Sequence, residues 1–221
     1  MERVQIETQL LEGCRWLAVK GLFDTPANSF SMRLPGTLEM ILTYGHEDWR
    51  RIGVADLQTA SLLAHEGLSG LHASIYQERA DVGAVAISSP KGVRRLAAHG
   101  GLLPPLFDEQ VRHLGSSVGP LPIEEEAARD MVRKTLRCGA NAALLGERLL
   151  CLGMTCERLL FNTELYEKCA QAYVIAKACG SRIRFIPRWV RVIANRRLLK
   201  DERRAAASYR NGQIPEGINS Y

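Results

Sequence analysis

The run Val82-Gly83-Ala84-Val85-Ala86-Ile87 is apolar from end to end, with the length and β-branched content of a strand buried on both faces. A strand with no polar side belongs in the interior of a sheet. The segments around it carry helical periodicity, so the chain is expected to be an α/β protein. At 221 residues it is long enough for one good core and short for two. One domain over 1–210, with a tail over 211–221, is the expected organisation.

Val4, Ile6, Leu10, Leu11, Cys14 and Leu17 recur at helical spacing, and Gly21 with Asp24-Thr25-Pro26 ends that helix. Asn28 to Arg33 and Leu38 to Thr43 are expected as two short strands around Leu34-Pro35-Gly36, with a third strand over Ile52 to Leu57. A helix from Leu71 to Glu78 leads into the apolar run, and another follows Ser88-Ser89-Pro90. Beyond a Gly- and Pro-rich stretch with a short helix at Asp108 to Leu114, Ile123 to Arg137 is expected as a helix. Its three glutamates lie at the positive end and its basic residues at the negative end. Asn141 to Leu145 and Arg148 to Leu152 are strands joined at Gly146-Glu147. Thr155 caps a long helix closed by Gly180, and Pro187 opens a last helix to Tyr209.

Composition excludes several classes. With 46% hydrophobic and 24% charged residues the chain is ordinary globular protein. No apolar run nears the roughly 20 residues that span a bilayer, and Met1 to Trp16 is too interrupted by charge for a signal peptide. A cytoplasmic protein without membrane partners is expected. The six cysteines form no CxxC pair and are expected as reduced, structural thiols. Of the net charge of +5, Arg182 to Arg210 contributes +8 and the remainder −3. That basic segment lacks a nucleic-acid motif or interleaved stacking aromatics, so no nucleic-acid partner is expected. It is a solvated helix face or a positive rim for an anionic metabolite.

Four segments in order carry a family resemblance. Asn28-Ser29-Phe30-Ser31-Met32-Arg33 resembles a GN-x-S-x-R strand, with Ala27 in place of the glycine. His72 to Val82, HASIYQERADV, resembles an H-x-x-x-Y-x-x-R-P-D-V helix and turn. Ala84 to Pro90, AVAISSP, stands where a strand ends H-x-H-P. Leu144 to Gly153, LLGERLLCLG, stands where LL-x-HG occurs. Together they resemble the class II aldolase/adducin family. The resemblance implies a three-layer α/β/α fold with a largely antiparallel central sheet, self-association with a tetramer favoured, and sites between subunits.

In working members of that family three histidines hold zinc, whose Lewis acidity stabilises an enediolate, and an acidic residue moves the proton. Here the resemblance places Ile87 and Ser89 at the H-x-H histidines, Glu147 at the third and Leu68 at the acid. The expectation is a chain without the metal and without a cofactor. The family's phosphate-holding elements correspond to Asn28, with Thr43 and Gly45 near a Thr-Gly turn. Asn28 is either such a pocket residue or a turn residue bonding its own backbone.

Two functional expectations follow: a non-catalytic scaffold or regulatory subunit, or a rebuilt lyase, decarboxylase or isomerase acting on a small anionic, sugar-phosphate-like metabolite. For the second, Glu147 and His72 are the candidate catalytic groups, and Asn28, Arg33, Thr43 and Gly45 the candidate substrate-binding ones, with Arg79 a further polar group to test. A third arrangement joins the two, in which the chain pairs with an active paralogue. Asp108, Glu109 and His113 form a carboxylate–histidine set on one short helix, where solvated side chains are the ordinary outcome. Tyr209 and Tyr221 lie near the end of the chain; tail residues of the family can reach a neighbouring subunit's pocket, and the tail composition fits that role or simple disorder at a terminus.

Overall fold

A computed structural model describes residues 2–216, for Glu2, Glu125 and Arg133 the backbone alone. Six strands form one sheet in the order β3-β2-β1-β4-β6-β5. They are β1 (Ser29–Arg33), β2 (Glu39–Tyr44), β3 (Gln58–Ser61), β4 (Ala84–Ser88), β5 (Ala142–Leu145) and β6 (Arg148–Gly153). Every pairing is antiparallel.

The apolar run supplies β4, near the centre, buried at every position. Because strand side chains alternate between faces, Ala84 and Ala86 enter one core while Val85 and Ile87 enter the other. The first core lies beneath α1 (Glu2–Val19), α3 (Lys91–Ala98) and α6 (Cys156–Ala178); the second lies beneath α2 (Gly67–Glu78) and α5 (Glu125–Thr135). A strand with two apolar faces thus has a helical layer on each, and the fold is three-layer α/β/α. Two further helices, α4 (Asp108–His113) and α7 (Arg188–Arg210), pack against each other.

Local signals set the ends of α6. Thr155 caps it through its side chain, which accepts from Arg158 N, and Gly180 follows its last turn at φ +64°, a left-handed conformation that glycine adopts without strain.

The strand expected at Ile52 to Leu57 is absent. Ile52 is buried, but Val54–Asp56 is a 3-10 turn in which the Gly53 amide donates to Asp56 Oδ2 at 2.8 Å. A carboxylate that satisfies a nearby backbone amide favours a turn over a ladder. The edge strand β3 forms next to it, from Gln58-Thr59-Ala60-Ser61, through pairing with β2.

Arg79, 1% exposed, is the polar pin of the molecule. It makes a two-pronged ion pair with Asp81, donating to both carboxylate oxygens at 2.8 Å, and a further bond to Glu202 at 3.0 Å. It also donates to the carbonyls of Leu136, Arg137 and Ala140. The end of α2, the loop before β5 and α7 are thereby tied to one side chain. Residues 211–216 do not extend freely: Gln213 N donates to Ser208 O, Ile214 packs on the first core and Pro215 is buried. Tyr221 lies outside the described residues. No helix among them is long and apolar enough to cross a membrane, and all six cysteines are free thiols.

Candidate functional site

Asn28 enters β1 through a turn in which its amide donates to Thr25 O at 3.3 Å. Its side chain is fully buried. Its Oδ1 accepts from Thr25 Oγ1 at 3.3 Å, while Nδ2 is buried without any hydrogen-bond partner. The side-chain oxygen thus serves the turn through the Thr25 hydroxyl, and the nitrogen is left over. Ser29 pairs with Ile87 across β1 and β4, which carries the register on to Asn28 beside Ser88. The Ser88 hydroxyl is also buried and unpartnered. Native structures leave few such groups unsatisfied, so two adjacent ones mark this end of the sheet.

Other expected residues converge here. Thr43 pairs with Phe30, and its hydroxyl meets His46 Nε2 at 2.9 Å. Gly45 follows β2 at φ +80°, and Gly146 opens the β5–β6 turn at φ +58°. The turn is brought to the start of β1 by Arg148, whose Nη1 donates to Ala27 O at 3.3 Å, and Glu147 is exposed beside it. Asn28, Thr43, Gly45 and Glu147 thus share one end of the sheet.

Arg33 does not join them. It lies at the far end of β1, about 15 Å away at ordinary strand rise, where Nη2 donates to the Tyr76 and Arg79 carbonyls at 2.7 and 3.1 Å. Its guanidinium also sits against the rings of Tyr76 and Tyr209, 5.2 and 5.4 Å from their centroids. A strand holds its first and last residues apart, so a motif that is compact in sequence is long in space.

His72 is wholly enclosed. Its Nε2 meets Ser29 Oγ at 2.9 Å and its Nδ1 meets Ser31 Oγ at 2.7 Å, and Ser31 Oγ meets the Tyr76 hydroxyl at 2.8 Å. Serine hydroxyls donate or accept, so either tautomer of the ring is satisfied. Burial pushes its pKa down to about 3. Both ring nitrogens are occupied by serine hydroxyls. The sequence signal was the pair Ser29 and Ser31, two apart on a strand and so on one face, opposite His72 and Tyr76, four apart on a helix.

The short helix α4 does not assemble its carboxylate–histidine set. Asp108 and Glu109 are exposed, whereas His113 is buried. It faces inward against Arg158 and the Phe161 ring. Its pKa is pushed down to about 3 by burial and then by Arg158 and Arg112.

The positions that the resemblance matches to zinc ligands and base carry Ile87, which is fully buried, Ser89, exposed Glu147 and Leu68, part of the packing of the second core. They supply one hydroxyl and one carboxylate, short of the three protein ligands that a catalytic zinc takes. The residues present do not fit the ion. Among the described residues no three His, Cys, Asp or Glu side chains gather where they could hold a metal elsewhere.

The comparisons agree on the scaffold. An L-fuculose-1-phosphate aldolase from Thermus thermophilus superposes with a TM-score of 0.67 at 23% identity, over 80% of this chain and 98% of that one. An L-fuculose 1-phosphate aldolase from Glaciozyma antarctica gives 0.72 at 16% identity, over 95% and 90%. An aldolase II superfamily protein from Pseudomonas syringae gives 0.68 at 16%, over 97% and 96%. At these identities the likeness is one of fold. No curated protein matched. The family profile described as Class II Aldolase and Adducin N-terminal domain matches residues 8–174. The chain therefore belongs to the class II aldolase and adducin family.

Proposed function

We propose that this chain is a class II aldolase-like protein with a degenerate metal site, acting as a non-catalytic scaffold or regulatory subunit. The observation that carries the reading is the donor set: Ile87, Ser89, Glu147 and Leu68 stand where zinc and base would be held, and Ile87 has no ligand atom. With all three histidines replaced and a leucine at the acid, the site lacks both the ligand set and the proton-transfer group of that chemistry. Family members often assemble as oligomers, and the proposal includes self-association as a tetramer, or pairing with an active paralogue whose pocket this chain completes. The test is elemental analysis of natively purified protein at neutral pH without chelator. The expected result is no stoichiometric divalent metal; about one per chain, as in a catalytic zinc site, would overturn it.

One observation favours a second reading, a rebuilt lyase, decarboxylase or isomerase for a small anionic metabolite. The unpartnered Asn28 Nδ2, at the position that the resemblance matches to the family's phosphate-holding asparagine, and the unpartnered Ser88 Oγ share an end of the sheet with exposed Glu147. In that reading Glu147→Ala abolishes turnover while leaving the melting temperature unchanged. Unaltered turnover in that variant removes Glu147 from the mechanism.

A further inference from the structure

A cavity of about 460 Å³ lies away from the aldolase-type end, between α7 and the loop after α4. That loop is anchored by Ser116 N donating to Gly139 O at 2.7 Å and by a bridge from Gly115 to Ala140. These contacts precede the first residue of β5, whereas Glu147 follows its last, so the two regions lie at opposite ends of the strand.

The polar part of the lining is cationic and hydroxylic. Arg188 and Arg191 reach it from the first turns of α7, Ser116 and Ser117 from the loop, and Asn195 from the next turn of α7. No Asp or Glu is among its described lining residues. None of the ion pairs among the described residues involves Arg188 or Arg191. Arg191 Nε and Asn195 Oδ1 are buried without partners. The acids of this helix are committed elsewhere, Asp201 to Arg112 and Glu202 to Arg79. Two uncompensated guanidiniums against one cavity are mutually repulsive unless an anion lies between them. Orphaned polar atoms buried beside them mark a place where a ligand supplies the missing bonds.

We propose that this cavity binds a small phosphate monoester. The dianion matches two forked donors, the serine hydroxyls complete its shell, and Asn195 Oδ1 accepts from a hydroxyl on the ligand body. Val111 and Val192 line the remaining wall, which suits the carbon frame of a metabolite, and the volume is that of a small-molecule site. The site is independent of any chemistry at Asn28 and Glu147, and it would give a non-catalytic subunit a ligand to sense.

The experiment is calorimetric titration of the full chain with inorganic phosphate and glycerol phosphate, and with succinate in parallel, at low salt. Glycerol phosphate is expected to bind more tightly than phosphate or succinate. Arg188→Gln and Arg191→Gln are each expected to weaken it at least about tenfold, the effect of losing one charge-assisted contact. Arg203→Gln, exposed on the same helix and outside the lining, should leave it unchanged. Arg188 is exposed, so its variant still decides the question if Arg191→Gln lowers stability. Absence of binding at millimolar ligand, tighter binding of succinate, or affinities that Arg188→Gln leaves untouched would each overturn the assignment.

Discussion

The hydroxyl of Tyr209 fills the space that a β-carbon on Gly83 would occupy, and from there it donates to the Met154 carbonyl at 2.8 Å. The last turn of α7 is therefore docked on its own sheet, at the residue just before β4. Tyr209 is thus spent within its own chain, its hydroxyl on Met154 and its ring against the Arg33 guanidinium.

Gly83→Ala should destabilise the protein by on the order of 3 kcal/mol, because the new methyl meets the Tyr209 oxygen and the Met154 carbonyl together and backbone cannot yield cheaply. Tyr209→Phe removes only the hydrogen bond and should cost about 1 kcal/mol. In the double variant the two losses should be less than additive, since the phenylalanine relieves part of the clash. Urea denaturation of the four proteins measures this; strict additivity would show that Tyr209 is not the obstacle.

His72→Ala should cost on the order of 4 kcal/mol, combining a cavity with two serine hydroxyls, Ser29 and Ser31, left buried with a partner removed. Glu147→Ala, at an exposed turn position, should stay within about 0.5 kcal/mol of the parent. Parallel melts of the two variants check the contrast, and a His72→Ala protein as stable as the parent would remove the structural role given to this ring.

The pH dependence of stability has two opposed parts. His72 and His113 are held at about 3 against an ordinary 6.5, so the unfolded chain takes up protons that the folded chain refuses. Their stabilisation is present above pH 6.5 and is lost as pH falls toward 3, at about 1.4 kcal/mol per pH unit for each ring. Glu202 behaves in the opposite sense. One guanidinium cannot neutralise both Asp81 and Glu202, and burial with the charge of Asp81 raises Glu202 to about 7 from 4.5, although Arg79 and the Gly139 amide pull it down. Burial also works against the Arg79 charge, but the bonds and attraction of the carboxylates overcome it and raise its pKa. The folded state thus keeps a proton on Glu202 that the unfolded state has released. That contribution is full below pH 4.5 and disappears as pH rises through 7. Between 4.5 and 6.5 it offsets one of the two imidazoles. The measured unfolding free energy should therefore decline gently from pH 6.5 to 4.5 and more steeply below.

Glu202→Gln removes the opposing part. Its acid decline should be steeper between pH 6.5 and 4.5 than the parent's, by about 1.4 kcal/mol per pH unit, with the two slopes converging below 4.5. Equal slopes in that window would mean that Glu202 is ionised in the folded state throughout. Glu202→Ala, which strips Arg79 of one carboxylate and Gly139 N of its acceptor, should cost about 3 kcal/mol at neutral pH.

Much of the scaffold was legible in the residues themselves. The unbroken apolar run before Ser88 specifies a strand without a polar face, Thr155 and Gly180 mark the ends of α6, and Gly146-Glu147 marks the turn between β5 and β6. These signals are local: periodicity, caps and turns depend on residues a few positions apart. The identity of Ile87, with no ligand atom, is likewise decided by sequence alone, because no fold can give it one. What the chain could not announce depends on partners distant along it. Gln58 to Ser61 is a strand only because β2 presents an open edge. Arg33 leaves Asn28 because a strand separates its ends. His72 is sealed only once two strand serines close over both nitrogens. Arg79 meets Glu202 across 123 positions of sequence, and Arg188 and Arg191 share a cavity with Ser116 and Ser117 only when α7 packs beside α4. Hydrogen bonds need contact and charge–charge energies are screened beyond about 10 Å, so distances that only the folded chain fixes decide which polar groups are satisfied and which remain open to a ligand.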